Sequence, residues 1–190
     1  KQLIFAILGI VAMLIISKID YRFYQKFYKH AWWIAALLLV LVLVAGKTVN
    51  GAKRWIYITE TLSFQPSEAV KFLMIVFYAG ILVKNRDELG NFGKGFIKHM
   101  CFLAPIIGLL LLQPHFSASV VIIGICAVMM IMAGCKFWHF LAAGGTVGVP
   151  AIVALVIAAP YRLKRIVTFI DPWQDATGDG WQVIQSLYAI

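Results

Sequence analysis

Two charged side chains stand close together at the start of a long apolar run. Glu68 and Lys71 are three residues apart, so a helix places them on one face, and the run that follows is uncharged up to Lys84. An ionised group in hydrocarbon costs at least about 2.5–3.5 kcal/mol. The pair is therefore predicted to face the protein interior and to serve a functional site. The competing interpretation is a structural ion pair within the bundle, which desolvation can make unfavourable.

A second chemical signal is a repeated Gln-Pro pair. Gln65-Pro66 and Gln113-Pro114 each open an apolar run, and proline suits a first helical turn because the N–H there needs no partner. Two helix N-termini on one side of a membrane would present free N–H groups and partial positive charge, which favour an anion such as phosphate. This predicts a polar cavity for a pyrophosphate-bearing lipid. The alternative is two plain helix starts whose basic neighbours touch lipid headgroups.

The composition fixes the class of protein. Sixty-two per cent of the residues are hydrophobic and 13% are charged, whereas soluble domains are about 45–50% apolar. This indicates a polytopic membrane protein. The net charge of +9 does not indicate nucleic-acid binding, because basic residues that flank membrane helices meet anionic headgroups. The three cysteines form no C-x-x-C motif, and packing roles are expected for them.

Six apolar runs predict an all-α bundle of membrane-spanning helices followed by an extended outer loop over residues 160–185. The predicted spans are 3–17, 31–46, 66–83, 99–112, 114–135 and 137–159. The connectors after the first, third and fifth spans hold nine basic residues against seven on the other side. The positive-inside rule therefore places connectors 18–30 and 84–98 in the cytoplasm. Both Gln-Pro pairs then lie on the outer side of the membrane. The sequence has no initiator Met, so an internal fragment of a longer protein is expected.

Ordered motifs along nearly the whole chain carry a family resemblance. They are Asn50-Gly51-Ala52-Lys53-Arg54-Trp55, Phe64-Gln65-Pro66-Ser67-Glu68 with Lys71, Gln113-Pro114, Phe169-Ile170-Asp171-Pro172-Trp173 and Gly180-Trp181-Gln182-Val183-Ile184-Gln185-Ser186. With them the chain resembles the SEDS family (shape, elongation, division and sporulation), which includes the RodA and FtsW proteins. The resemblance implies a ten-helix protein of which about six helices are present, with the first and the last helices missing.

The resemblance also implies an activity, a location and partners. It implies a peptidoglycan glycosyltransferase that polymerises lipid II on the outer face of the bacterial cytoplasmic membrane. Such proteins transfer a growing glycan from undecaprenyl pyrophosphate to the 4-hydroxyl of an incoming lipid II. The implied partners are a class B penicillin-binding protein (a transpeptidase) and other divisome or elongasome membrane proteins, with no nucleic acid.

Residue roles follow from the same resemblance. Glu68 and Lys71 match functionally important family residues, and His115 stands where the family usually has the Asp to which catalysis is attributed. Histidine has an unperturbed pKa of about 6.5 and can accept a proton near neutral pH, but a neutral imidazole does not hold a divalent cation as a carboxylate does. The predicted catalytic residues are His115, Glu68 and Lys71. The predicted substrate-binding residues are Lys53, Arg54, Gln65, Ser67, Gln113 and Arg162.

Two other functions remain open on the sequence, as does a divalent cation as cofactor. A lipid II flippase would also need a lipid-pyrophosphate cavity, but a transporter should carry charges along the whole membrane depth. A non-catalytic scaffold of the cell-wall synthesis complex would explain His115 as a loss of activity. Polymerisation of labelled lipid II separates the three.

Overall fold

The computed structural model of the chain describes residues 2–49, 52–57, 63–150, 153–154, 168, 171–175, 178 and 180–189. The chain divides into two compact units, residues 1–137 and 138–190. The first unit contains most of the residues predicted to do chemistry. The expected helical class is confirmed, with one addition, a small antiparallel sheet.

The first unit begins with two apolar helices, α1 (Gln2–Ser17) and α2 (Tyr21–Ala45). Asp20 caps α2, because its carboxylate accepts a hydrogen bond of 2.9 Å from the backbone N–H of Arg22. The interpretation of 18–30 as a connector is therefore wrong beyond residue 20. The first turns of α2 carry charged side chains at helical spacing, namely Arg22, Lys26 and Lys29. A prediction based on apolar runs alone leaves these turns out of the helix.

A three-stranded antiparallel sheet connects α2 to the next helix. Its strands are β1 (Lys47–Val49), β2 (Ala52–Tyr57) and β3 (Ser63–Phe64), in the order β1-β2-β3. Strand β2 pairs Ile56 with Phe64, and Val49 lies opposite Ala52. The predicted spans 31–46 and 66–83 left residues 47–65 as a connector and missed the sheet, because strands of two to six residues leave little periodic signal. The sheet brings the basic residues of β2 close to the helix ends.

Three further helices complete the first unit: α3 (Pro66–Lys84), α4 (Lys98–Leu112) and α5 (Phe116–Met132). A 3₁₀ turn (Arg86–Glu88) and a π-helical segment (Phe92–Ile97) join α3 to α4. Helix α3 packs against α2 and α5, and α4 packs against the same two helices. Because β2 precedes α3 and the π-helical segment follows it, Lys53 and Lys94 lie beyond opposite ends of α3.

The core is built from one stripe on each helix. In α2 the buried side chains recur every three or four residues, at Ala31, Ala35, Leu39 and Val42. Two alanines in this stripe allow a close approach of α3, whose buried residues include Met74, Phe77 and Tyr78. The remaining faces of these helices expose large apolar side chains, as expected where lipid is the solvent.

Three helical segments are long and apolar enough to cross a membrane: Tyr21–Ala45, Pro66–Lys84 and Phe92–Leu112. Two shorter apolar helices, Ala6–Ser17 and Phe116–Met132, lie in the first and fifth predicted spans. The chain is thus a multi-pass membrane protein. The count of six spans and their exact limits stay predictions.

The second unit contains helix α6 (Phe137–Ala143) except for its first residue, which belongs to the first unit. It also contains a π-helical turn (Gly144–Gly148), a 3₁₀ turn (Pro172–Asp175) and helix α7 (Trp181–Tyr188). The rings of Trp173 and Tyr188 meet edge to face, 6.2 Å apart. Residues 151–152 and 155–159 of the predicted sixth span and half of the predicted outer loop, including Arg162, lie outside the described residues.

Candidate active site

The candidate site is built on the short turn between α4 and α5. Gln113 is 2% exposed, and its side-chain Nε2 donates a hydrogen bond of 2.9 Å to the carbonyl oxygen of Leu39 on α2. The backbone N–H of His115 returns to the carbonyl of Leu110, at 2.9 Å. These bonds fix the turn against two helices. Gln113 therefore supports the turn, and its predicted contact with substrate stays a prediction.

Arg54 attaches the sheet to the same turn. From strand β2 its Nε donates to the carbonyl of Gln113 at 3.4 Å, and its Nη2 donates to the carbonyl of Pro114. Neighbouring residues of a strand point to opposite faces, so Lys53 points elsewhere, and its Nζ lies 3.5 Å from the carbonyl of Leu43 at the end of α2. The turn thus receives a guanidinium group, while the ammonium group of Lys53 lies at a neighbouring position.

His115 joins the beginnings of two helices. It is the residue before α5, it is 9% exposed, and its Nε2 contacts the Nε2 of Gln65, the residue before α3. Since an amide nitrogen only donates, this contact makes the imidazole Nε2 an acceptor and leaves the proton of the neutral ring on Nδ1. The Nδ1 atom is buried and has no hydrogen-bond partner in the part of the chain that the structure describes.

The surroundings of His115 favour its neutral form. The residue lies in the turn between α4 and α5, where burial lowers the pKa of the imidazole, and the positive charge of Arg54 lowers it further. Glu68 raises this pKa and Lys71 lowers it, both by smaller amounts. The net direction is downward from 6.5. A neutral imidazole at neutral pH is the form that accepts a proton.

Glu68 and Lys71 form the predicted ion pair. Lys71 Nζ lies 2.7 Å from Glu68 Oε2, so the expectation that they pair is confirmed. The expectation that both face the interior is wrong for Glu68, whose side chain is 59% exposed, against 28% for Lys71. The physical reason is the face on which Glu68 stands, because Pro66, Ser67 and Val70 of the same turn are buried and Glu68 lies on the opposite, outward face, where its carboxylate also meets the positive end of the helix dipole.

Ser67, like Gln113, is almost fully enclosed. It is 2% exposed, and its Oγ has no hydrogen-bond partner among the residues described. Ser119, which the sequence analysis missed, is equally buried and donates from Oγ to the carbonyl of His115 at 3.1 Å. Its spacing of four residues from His115 on a helix was the available signal.

The arrangement offers a neutral, buried imidazole, a guanidinium on the same turn and an ion pair close enough to influence the imidazole. Such a set can accept a proton from a hydroxyl and stabilise negative charge on a leaving group. Across the described stretches, no group of three or more His, Cys, Asp or Glu side chains could hold a metal ion. Arg54 and Gln65 both contact the turn between α4 and α5, Arg54 through the backbone carbonyls that precede His115 and Gln65 through the His115 ring. The functional roles of all the predicted residues stay predictions.

Comparison with known proteins places these residues in a family context. The family model for FtsW, RodA and SpoVE, described as "Cell cycle protein", matches residues 1–190. Stage V sporulation protein E of Bacillus subtilis is 38% identical over 192 residues, which cover 100% of this chain and 52% of that protein. The probable peptidoglycan glycosyltransferase FtsW of Trichlorobacter lovleyi is 39% identical, covering 100% of this chain and 50% of the relative.

Solved structures show the same likeness. A chain from a structure described as "Structural coordination of polymerization and crosslinking by a peptidoglycan synthase complex" matches with a TM-score of 0.72 and 30% identity, covering 97% of this chain and 54% of that one. The rod shape determining protein RodA of Thermus thermophilus matches with a TM-score of 0.65 and 28% identity over 78% of this chain and 46% of that chain. The chain spans about half the length of the curated relatives it matches.

Proposed function

The chain belongs to the FtsW, RodA and SpoVE family of cell cycle proteins, and from that membership we propose that it is part of a peptidoglycan glycosyltransferase that polymerises lipid II. The activity named for relatives such as FtsW of Trichlorobacter lovleyi supports the proposal. The observation that carries it is the buried imidazole of His115, held by Gln65 in a turn that also binds the guanidinium of Arg54. We place the reaction at the outer face of the bacterial cytoplasmic membrane.

The proposed reaction is one displacement at a sugar carbon. The 4-hydroxyl oxygen of the incoming lipid II bonds to C1 of the growing glycan, and the bond from C1 to the pyrophosphate oxygen breaks. The hydroxyl proton passes to His115, and undecaprenyl pyrophosphate leaves with the electron pair of the broken bond. General-base assistance of this kind contributes about 10²–10⁴-fold to a rate. Arg54 and Lys71 supply positive charge toward the leaving group.

The orientation of the Gln65 amide decides which nitrogen of His115 can act. With Nε2 of Gln65 on the ring, Nδ1 carries the proton and the lone pair of Nε2 is engaged. With the amide turned by half a rotation, the Gln65 oxygen accepts from Nε2–H, and Nδ1, which lacks a partner in the described structure, presents a lone pair. The second orientation is the one that we assign to catalysis; because Nδ1 is buried, the acceptor hydroxyl reaches it only when substrate binding displaces the side chains that cover it. Gln65 is then a positioning residue.

Lipid II and undecaprenyl pyrophosphate are the proposed substrate and product. The proposed partner is a class B penicillin-binding protein, in keeping with the likeness to a chain of a peptidoglycan synthase complex. Further divisome or elongasome proteins would assemble around the pair. Ser67, Lys53 and Arg162 remain proposed substrate contacts, Ser67 because its buried Oγ has no partner within the described residues.

A non-catalytic scaffold is the second candidate, and the engaged Nε2 of His115 favours it. Polymerisation of labelled lipid II by the full-length protein with its transpeptidase partner distinguishes the two. In a polymerase His115→Ala lowers turnover by about 10²–10⁴-fold, while His115→Asp keeps or raises it. Ser17→Ala, in an exposed position at the end of α1, is the control. A silent wild type that gains activity from His115→Asp would identify the scaffold, and full activity of His115→Ala would remove His115 from the mechanism.

A further inference from the structure

A cleft of about 440 Å³ lies at the end of the first unit opposite to His115. It is formed by the N-terminal half of α2, the C-terminal end of α3 and the start of α4. Three ammonium groups line it, from Lys29, Lys84 and Lys98. We call it the lysine cleft. Its size lies in the range of small-molecule and lipid-headgroup sites.

The walls of the lysine cleft are aromatic side chains that are held by contacts within the protein. The Nε1 of Trp32 donates a hydrogen bond of 2.9 Å to the carbonyl of Phe102, which fastens α2 to α4. The ring of Phe77 meets that of Phe102 edge to face at 5.4 Å. Trp33 packs against Trp32 at 4.9 Å and is 70% exposed. An occupant would therefore meet a formed apolar wall with one exposed indole.

The charge of the lysine cleft is positive. The residues that line it include three lysines and no acidic side chain in the described structure. Lys98 has one acidic partner, Glu88 at 3.2 Å, and both side chains are more than 40% exposed, at 43% and 44%, so the pairing is weak. Lys29 and Lys84 are exposed. Three cations converge where the spanning helices end.

We propose that the lysine cleft binds an anionic phospholipid. The headgroup phosphate lies among Lys29, Lys84 and Lys98, and the first part of one acyl chain lies along Trp33 and Phe102. Tryptophan at a membrane interface and lysine at helix ends are the residues that meet headgroups. A zwitterionic lipid would bring a cation to the same three lysines, and a soluble phosphate would leave the aromatic wall without a contact. The site is independent of the proposed polymerisation.

Bromine-labelled lipids test the proposal in the full-length protein. Bromine on an acyl chain quenches nearby tryptophan fluorescence. The protein is measured in vesicles of plain phosphatidylcholine, in the same vesicles with brominated phosphatidylglycerol, and in the same vesicles with brominated phosphatidylcholine at an equal mole fraction. We expect stronger quenching by the brominated anionic lipid, and a smaller difference in Trp33→Phe, where Trp32 is the remaining indole of the cleft.

Charge variants locate the effect. Each lysine near an anionic surface contributes about fivefold in affinity, so Lys29→Gln, Lys84→Gln and Lys98→Gln together should lower the preference for the anionic lipid by about a hundredfold at low salt. The matched control replaces three exposed lysines outside the cleft, Lys18, Lys26 and Lys94, and should keep the preference. Lys84→Glu alone tests the same point if the triple variant does not fold.

Three results would overturn the proposal. Equal quenching by the two brominated lipids would show that the cleft does not select charge. Equal losses in the cleft variant and the control variant would mean general attraction to headgroups. Quenching that is the same in the wild type and in Trp33→Phe would mean that another part of the protein covers the cleft.

Discussion

The side chains of Gln65 and His115 contact each other across fifty positions of sequence and join the start of α3 to the start of α5. Gln65 stands at the N-cap of α3, yet it makes no capping hydrogen bond to its own helix. Its side-chain amide contacts the imidazole of His115 instead. A cap residue that serves another helix in this way sets the tautomer of the histidine, which is the property that a proton acceptor depends on.

Polymerisation should depend on pH through His115. Because burial and Arg54 lower the pKa of this imidazole below 6.5, the neutral, proton-accepting form persists as the pH falls through 6.5, and activity is lost only below that point. The rate against pH at saturating lipid II measures this acid limb. His115→Asp should move the limb further down, toward the usual pKa of a carboxyl group near 3.9. An acid limb that is unchanged in His115→Asp would contradict the assignment.

Replacing Gln65 tests its role as a positioning residue. Gln65→Glu places a carboxylate beside the imidazole, which favours the charged ring and raises the pKa of His115, so the acid limb should move to higher pH. Gln65→Leu removes the contact, and we expect a fall in kcat with little change in KM. Gln25→Leu, in an exposed position on α2, is the control. A rise in KM alone would make Gln65 a substrate-binding residue.

The ion pair of Glu68 and Lys71 should shift the same acid limb in two directions. Glu68 raises the pKa of His115 and Lys71 lowers it, so Glu68→Gln moves the limb to lower pH and Lys71→Met moves it to higher pH. Because Glu68 is 59% exposed, each change should alter the free energy of unfolding by less than about 1 kcal/mol.

The second ion pair of the described structure, Glu88 with Lys98, provides the matched control for this experiment. It is also exposed and lies at the other end of α3 and α4. Glu88→Gln and Lys98→Met should leave the acid limb in place. Shifts of one sign in both Glu68→Gln and Lys71→Met would point to a general disturbance of the site.

The sequence predicted the helices better than their ends. Apolar runs located the helical cores, but the charged first turns of α2 were read as a connector, since an apolar scan rejects Lys26 and Lys29 although they continue the helix. The capping residue Asp20 was the signal for the true start. Strand β2, which carries Arg54, is too short to leave a periodic signal, so the hydrogen bond from Arg54 to the turn could not be predicted.

The candidate site was predicted in its members more than in its contacts. The i,i+3 spacing predicted the pairing of Glu68 with Lys71, but not the exposure of Glu68, which depends on which face of the first turn of α3 packs into the bundle. Gln113 looked like a ligand-binding amide, whereas packing turns it toward the carbonyl of Leu39 on a helix that is remote in sequence. Long-range contacts of this kind are properties of the packed structure and leave no local pattern.

The close approach of α2 and α3 gives a prediction about stability. A β-carbon at Gly80 would lie closer than 3.0 Å to three atoms of Tyr28, Cβ, Cγ and Cδ2. These atoms include the root of the ring, which cannot swing away without moving α2. Gly80→Ala should therefore lower the free energy of unfolding by about 1–3 kcal/mol through overpacking, although alanine favours a helix by about 1 kcal/mol over glycine.

The matched control is Gly108→Ala on α4, where a β-carbon meets no atom within 4 Å in the described structure. There the propensity gain stands alone, so the protein should be equally stable or more stable by about 0.5–1 kcal/mol. Thermal unfolding of the full-length protein in detergent compares the two variants. Two of the three close atoms, Cγ and Cδ2, belong to the ring, so Tyr28→Ala should offset part of the loss in the double variant with Gly80→Ala, whereas the contact with Cβ of residue 28 remains. Equal stability of Gly80→Ala and Gly108→Ala would mean that α2 and α3 pack less closely than the structure shows.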